Sequence, residues 1–212
     1  MFSIFKKKDP VRKRTIELLK VLGLPVQDLP ELPLLDRTVM RDARMIGIRA
    51  TILAAFDYLA EYPEDQADMR EFLHENTNLG EFLSDQERAW IGSEKLTEED
   101  LAAMSWSSEG FYMLMWVLGV VEELPDPDEG TETADLQDLV PPEAEIEVFK
   151  ASIRLVSAEE LHEALDLYYV ASWFARRKQP GLDPDVVWER RKALEWAADK
   201  GLVSWDDIPM DT

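Results

Sequence analysis

Hydrophobic positions along this chain recur with helical spacing, and no stretch alternates as a half-buried strand would. Asp9-Pro10 couples an N-cap to a proline at the first helical position, and Gly23 supplies a stop, so a helix is expected near 10–22. Three prolines between Pro25 and Pro33 make "LPVQDLPELPLL" an extended connector. Asp36 is expected to cap a long helix reaching about Ala60. From Ile46 to Phe56 its only charge is Arg49, and a helix apolar on all sides belongs inside a bundle. Residues 64–76 read as a polar helix, and Ser84 and Thr97 as N-caps of two short ones, "TEED" having capping-box spacing. "SWSSEGFYMLMWVLGVV", Ser105 to Val121, is apolar on both faces and forms a second central helix, which the acidic loop "ELPDPDEGTET" ends. After a helix near 142–155, the capping box "SAEE" at Ser157 opens a helix that closes on Arg176, Arg177 and Lys178. Pro180-Gly181 breaks the chain. Asp183-Pro184 opens a last helix expected to end at Gly201, and the closing "WDDIPMDT" is expected to dock through Trp205 and Ile208.

This pattern predicts an all-α fold: a single-domain bundle of about eight helices without significant sheet, with 40–60 and 106–121 at its centre. Residues 1–34 read as a basic arm, a helix and a proline-rich connector, and 35–212 as the single helical domain. Residues 1–8 are expected to be mobile, since no core-sized apolar set precedes Asp9.

Three charges fall inside apolar helical surfaces: Arg49, Glu109 and Arg190. The last sits at the centre of the face made by Val186, Val187, Ala193, Leu194 and Ala197. A lone buried carboxylate costs several kcal/mol, so Glu109 is expected to lie within hydrogen-bonding distance of Arg190 or Arg49. Such a pair either fixes the register of the bundle or lines a pocket. His162, Asp166, Tyr169 and Trp173 recur on one stripe of the helix from Ser157. His162 and Asp166 there have the spacing of an acid–base pair and equally that of an ordinary i,i+4 surface contact. Asp206, Asp207, Asp211 and the terminal carboxylate crowd the closing segment, where they collect a cation or pair with arginines of the bundle. "DPDEG" falls out of step with a calcium loop: Gly130 is at its fifth position and Gln137 at its twelfth, so it reads as a solvated turn.

Composition narrows the chemistry. Net charge is −21, with residues 1–50 at +5 and the remainder at −26. An acidic body repels phosphate backbones, which argues against nucleic acid and for a basic partner. There is no cysteine and there are two histidines, so thiolate chemistry, disulfides and multi-histidine metal sites are excluded. No phosphate-binding glycine loop is present, and no cofactor or metal is expected. The longest apolar run is too short to span a bilayer, and the N-terminal order of residues is not that of a secretion signal. A cytoplasmic protein is expected, with weak membrane contact through Phe2, Ile4, Phe5 and Lys6–Lys8 as a further option.

"SWSSEGFYMLMWVLGVVEELPDP", "DLYYVASWFAR", "VVWERRKALEWAA" and "WDDIPMDT", in this order, resemble a bacterial family of unknown function numbered 4272, from about Asp36 to Thr212. The resemblance implies a helical domain and draws attention to Arg49, Trp106, Glu109, Glu189, Arg190, Trp205 and Asp206, with Asp207 beside them. It departs at Arg191, where histidine is common, and at Glu195, where asparagine is common. It supplies no mechanism. The expected function is a non-enzymatic protein-interaction or regulatory module, an immunity-like mask for a basic partner being one form. The alternative is an enzyme or small-ligand receptor whose pocket is lined by Arg49, Glu109, Arg190 and tryptophans.

Overall fold

A computed structural model describes residues 9–210 apart from 37, 76, 143 and 199–203. The expectations for the N-terminal eight residues, for a helix end at Gly201 and for Asp211 lie outside the described residues. The fold is all-α, with no strand among the described residues. Its helices are α1 (Pro10–Val21), α2 (Ala43–Glu61), α3 (Gln66–Glu75), α4 (Thr77–Gly80), α5 (Asp85–Gly92), α6 (Glu98–Ser105), α7 (Ser107–Val117), α8 (Ala134–Gln137), α9 (Ile146–Ser152), α10 (Ala158–Ala175) and α11 (Pro184–Ala198).

The helix starts follow from side-chain caps. Asp9 accepts from the amides of Val11 and Arg12, and Ser84, Thr97 and Ser157 form complete capping boxes with Glu87, Asp100 and Glu160. One start differs from expectation. α2 is capped by Asp42, whose carboxylate accepts from Arg44 N at 2.9 Å, and not by Asp36. The intervening residues hold other partners. The Arg41 amide donates to Ala197 O at 2.9 Å, its guanidinium stacks 4.1 Å from the Trp196 ring centre, and Thr38 Oγ1 hydrogen-bonds His162 Nδ1 at 2.9 Å. Winding this segment into α2 would break all three contacts.

The all-round apolarity of α2 has a direct cause: it is the wall between two cores. Ile46, Ala50, Leu53 and Ala54 face the larger core, built with α1, α7, α10, α11 and the closing segment. Ile52, Ala55, Phe56 and Leu59 face a smaller core formed with α3, α5 and α6. The centre is broader than two helices, since α10 and α11 also pack on one another and α11 on α7. The helix expected near 142–155 is shorter: beyond Ser152 the chain is extended, and Arg154 N and Val156 N donate to the last carbonyls of α7, Leu118 O at 2.8 Å and Val117 O at 3.1 Å. That close passage requires glycine at 119. Its φ is +69°, and a Cβ there would stand 1.9 Å from Arg154 O. Gly110 serves a similar purpose inside α7, where a Cβ would meet Leu53 at 3.2 Å and the Trp205 indole at 3.6 Å. The closing segment does dock: Trp205, Ile208 and Met210 are buried in the larger core, and Arg176 Nη2 donates to Met210 O at 2.7 Å.

Candidate functional site

Arg190 comes from the middle of α11 and has no exposed surface. An arginine cannot shed its charge to escape burial, so every donor needs an acceptor. Nε donates to Glu109 Oε2 at 2.7 Å, Nη1 to Asp126 O at 2.9 Å and to the Tyr168 hydroxyl at 3.2 Å, and Nη2 to Glu129 O at 2.6 Å. Burial pushes the Tyr168 hydroxyl up, so it stays protonated and donates to Pro125 O at 2.8 Å. Thr131 Oγ1 donates to the same Glu109 oxygen at 2.9 Å. Asp57 of α2 continues the line, accepting from Thr133 Oγ1 and Gln137 Nε2, each at 2.8 Å. Burial, and after it the nearby Glu61 and Glu109, push the Asp57 carboxyl up against these two hydrogen bonds. The acidic loop is therefore not merely a solvated turn. Buried groups from α2, α7, α10 and α11 hold its carbonyls, hydroxyls and side-chain amide from Pro125 to Gln137.

Arg49 does not share this site. Its Nη1 donates to Glu87 Oε1 at 2.7 Å, Nη2 donates to Phe82 O, and its guanidinium lies 5.1 Å from the Trp205 ring centre. Arg49 Nε is the one buried side-chain nitrogen or oxygen among the described residues with no hydrogen-bond partner. Sequence reasoning names Ser84 as a cap and misses Glu87, three residues on, which completes the capping box: one carboxylate oxygen caps Ser84 N at 2.8 Å while the other meets Arg49. Asp206 Oδ2 accepts from the first amides of α5, Asp85 N at 3.1 Å and Gln86 N at 3.4 Å, and exposed Asp207 accepts from Ser204 Oγ at 2.6 Å. Among the described residues no three acidic or histidine side chains converge as metal ligands.

On the α10 stripe His162 and Asp166 have separate partners and do not hydrogen-bond one another. Asp166 is buried and receives the Arg12 guanidinium of α1, Nη2 at 2.7 Å and Nε at 3.0 Å, together with Thr15 Oγ1 at 2.7 Å. His162 points to Thr38 instead. Tyr169 lies between guanidiniums, Arg191 at 5.0 Å and Arg12 at 5.7 Å from its ring centre, and Trp173 carries Arg177 at 3.7 Å. The stripe is a dock for α1 and the connector. Arg12, Thr15 and Leu19 fall on one helical face, which was the available signal for it. Arg191 and Glu195, the two departures from the family pattern, pair with one another at 3.0 Å, and burial pushes the Glu195 carboxyl up despite Arg191.

The remaining candidates line a cleft of about 370 Å³ between α5, α6, α11 and the closing segment, with Trp106, Glu189, Trp205 and Asp206 on its walls. Glu109 and Arg190 do not line it. The pocket expected at Arg49, Glu109, Arg190 and tryptophans thus divides into two ion pairs and an open cleft, of which the Arg49–Glu87 pair borders the cleft through Glu87 and the Glu109–Arg190 pair does not. No helix of the described residues is long and apolar enough to cross a membrane.

A family model described as a domain of unknown function, DUF4272, matches residues 12–208, and the chain belongs to that family. The match begins inside α1, in keeping with the docking of α1 on α10. No curated protein and no solved structure matches the chain.

Proposed function

We propose that this member of the DUF4272 family is a non-enzymatic interaction module of the cytoplasm, whose rigid acidic face receives a basic, amphipathic segment of a protein partner. The observation that carries the reading is the commitment of buried Arg190, Glu109 and Asp57 to holding one segment. From Glu122 to Glu147 the chain has eleven acidic residues and no lysine or arginine. The ten of these that are described are all exposed. Leu139, Ile146 and Val148 stand among them with 44%, 51% and 61% of their surface exposed, which offers apolar contact beside the charge. Fixing such a surface before encounter removes an ordering cost from binding, and its field steers a cationic partner. A regulatory or immunity-like role follows if the face masks a basic surface. The buried charges Arg190, Glu109 and Asp57 are engaged with one another and with the loop, which supports a structural use for them.

The test is the binding of a lysine-rich amphipathic helical peptide, followed by fluorescence anisotropy from about 50 to about 300 mM salt. Neutralising Asp128, Glu129, Glu132 and Asp135 to their amides should weaken binding at least about tenfold, with steep salt dependence. Neutralising Glu64, Asp68, Glu71 and Glu75 on the α3 side changes net charge equally and should leave binding within about twofold. Equal weakening by both variants would mean that net charge alone, and not this face, attracts the peptide.

A further inference from the structure

We infer that the cleft between α6, α11 and the closing segment is a binding site for a small zwitterion, a free amino acid with an apolar side chain. Glu189 takes its ammonium, Lys192 its carboxylate, and the Trp106 and Trp205 indoles its side chain. The cleft shares no residue with the acidic face, so the inference stands apart from the proposed partner.

The argument starts from what each charged wall residue already does. Glu87 is bound by Arg49 and caps Ser84. Asp100 closes its own capping box with Thr97 and accepts from Trp90 Nε1 at 3.1 Å. Asp206 caps α5. Glu99 stands exposed at the rim. Two groups remain. Glu189, half-buried, makes no hydrogen bond or ion pair among the described residues, and burial pushes its carboxyl up despite Lys192. Lys192 makes only a cation–π contact, its Nζ 4.7 Å from the Trp205 ring centre.

Glu189 and Lys192 are one turn apart on α11, the spacing at which a glutamate and a lysine ordinarily meet. Here they form no ion pair, and both line the cleft. Two opposite charges one turn apart on one wall of a cavity, not joined to one another, match the ammonium and the carboxylate that an α-amino acid carries on a single carbon, and the Trp106 and Trp205 indoles on the same cavity are left for its side chain. A simple amine would satisfy Glu189 and crowd Lys192; a simple acid would do the reverse. At about 370 Å³ the cavity is at the small end of ligand sites, the scale of a single amino acid and not of a nucleotide. Trp205 also reports on occupancy, because it forms one wall.

The experiment titrates the intact chain with L-leucine and L-phenylalanine, following tryptophan fluorescence and calorimetric heat. Parallel titrations use the matching amines, isoamylamine and phenethylamine, and the matching acids, 4-methylpentanoate and 3-phenylpropanoate. At least one amino acid should bind saturably, and its amine and acid at least about tenfold more weakly. Glu189→Gln and Lys192→Met should each weaken the amino acid at least about tenfold, while neither variant lowers the melting temperature without ligand. Glu189→Asp should restore part of the affinity. The inference is overturned if no amino acid binds below about 10 mM, or if the amine binds as tightly as the amino acid and Lys192→Met changes nothing, which would mark a cation site.

Discussion

Arg190 decides the arrangement around it because it is the residue with the fewest alternatives. It is permanently charged, fully buried and surrounded by four acceptors on three elements. Arg190→Met would leave Glu109 buried with Thr131 alone, and breaking a buried pair in this way costs on the order of 3–5 kcal/mol. Glu109→Gln strands the guanidinium charge and should cost a similar amount, measured as a shift in the urea midpoint. The two losses differ in a second readout. Arg190→Met, alone or combined with Glu109→Leu, should speed amide exchange from 125 to 131, whereas the double variant should regain much of the lost stability. A wild-type urea curve for Glu109→Gln would show that the pair is not structural. Sequence reading could find these charges because each stands alone on an apolar helical surface. It could not choose between Arg49 and Arg190 as the partner of Glu109, because that choice depends on where Glu87 lies, and Glu87 sits in a polar, surface-like run with nothing to set it apart.

At the scale of the element, the instructive piece is α1. It carries four cations and buries only Thr15 and Leu19 fully, so it reads as an arm. Its one buried polar attachment is a forked Arg12–Asp166 pair backed by Thr15, with the remaining guanidinium donors on the connector carbonyls Leu32 O and Pro33 O; a second pair, Arg14 with Glu163, is half-exposed and contributes less. Asp166→Ala should therefore release α1 and the connector together while α2 to α11 persist. The expected result is cleavage by trypsin within 12–20 at least about tenfold faster than in wild type, with most of the far-ultraviolet helix signal retained; loss is graded by local opening and not by global unfolding. An unchanged cleavage rate would mean that the apolar contacts of Leu19 hold α1 without the ion pair. Elements whose signals are local, the capping boxes and the Asp-Pro starts, were legible from sequence. The α2 start was not, because Thr38 and Arg41 find their partners on α10 and α11, far away along the chain.

For the whole molecule, the charges of the interior and the surface make a joint statement about pH. Burial pushes Asp57, Glu189 and Glu195 above the ordinary carboxylate range, so the folded state holds protons that the unfolded chain has already lost. Such groups favour folding fully below their unfolded value, about 4, and the benefit fades as pH rises through the folded value. Asp100 and Glu160 run the other way, pulled down by their hydrogen bonds to Thr97 and Ser157. Their contribution is intact above about 4 and is lost only further down, so it does not oppose the first group between pH 7 and 5. Acidification over that interval also reduces the self-repulsion of a chain with net charge −21. The melting temperature should therefore rise by a few degrees as pH falls from about 7.5 to about 5.5, and turn down only below about 4. The interior and surface parts separate experimentally. Salt at about 0.5 M should suppress the surface share and leave the interior share, because buried groups are screened far less. The triple variant Asp57→Asn, Glu189→Gln, Glu195→Gln should lose the interior share and, in high salt, show a nearly flat profile over the same interval. A melting temperature that falls steadily from pH 7.5 to 5.5 in wild type would mean that these three carboxylates are ionised in the folded protein at little cost, and that the acid-sensitive ion pairs control its stability instead.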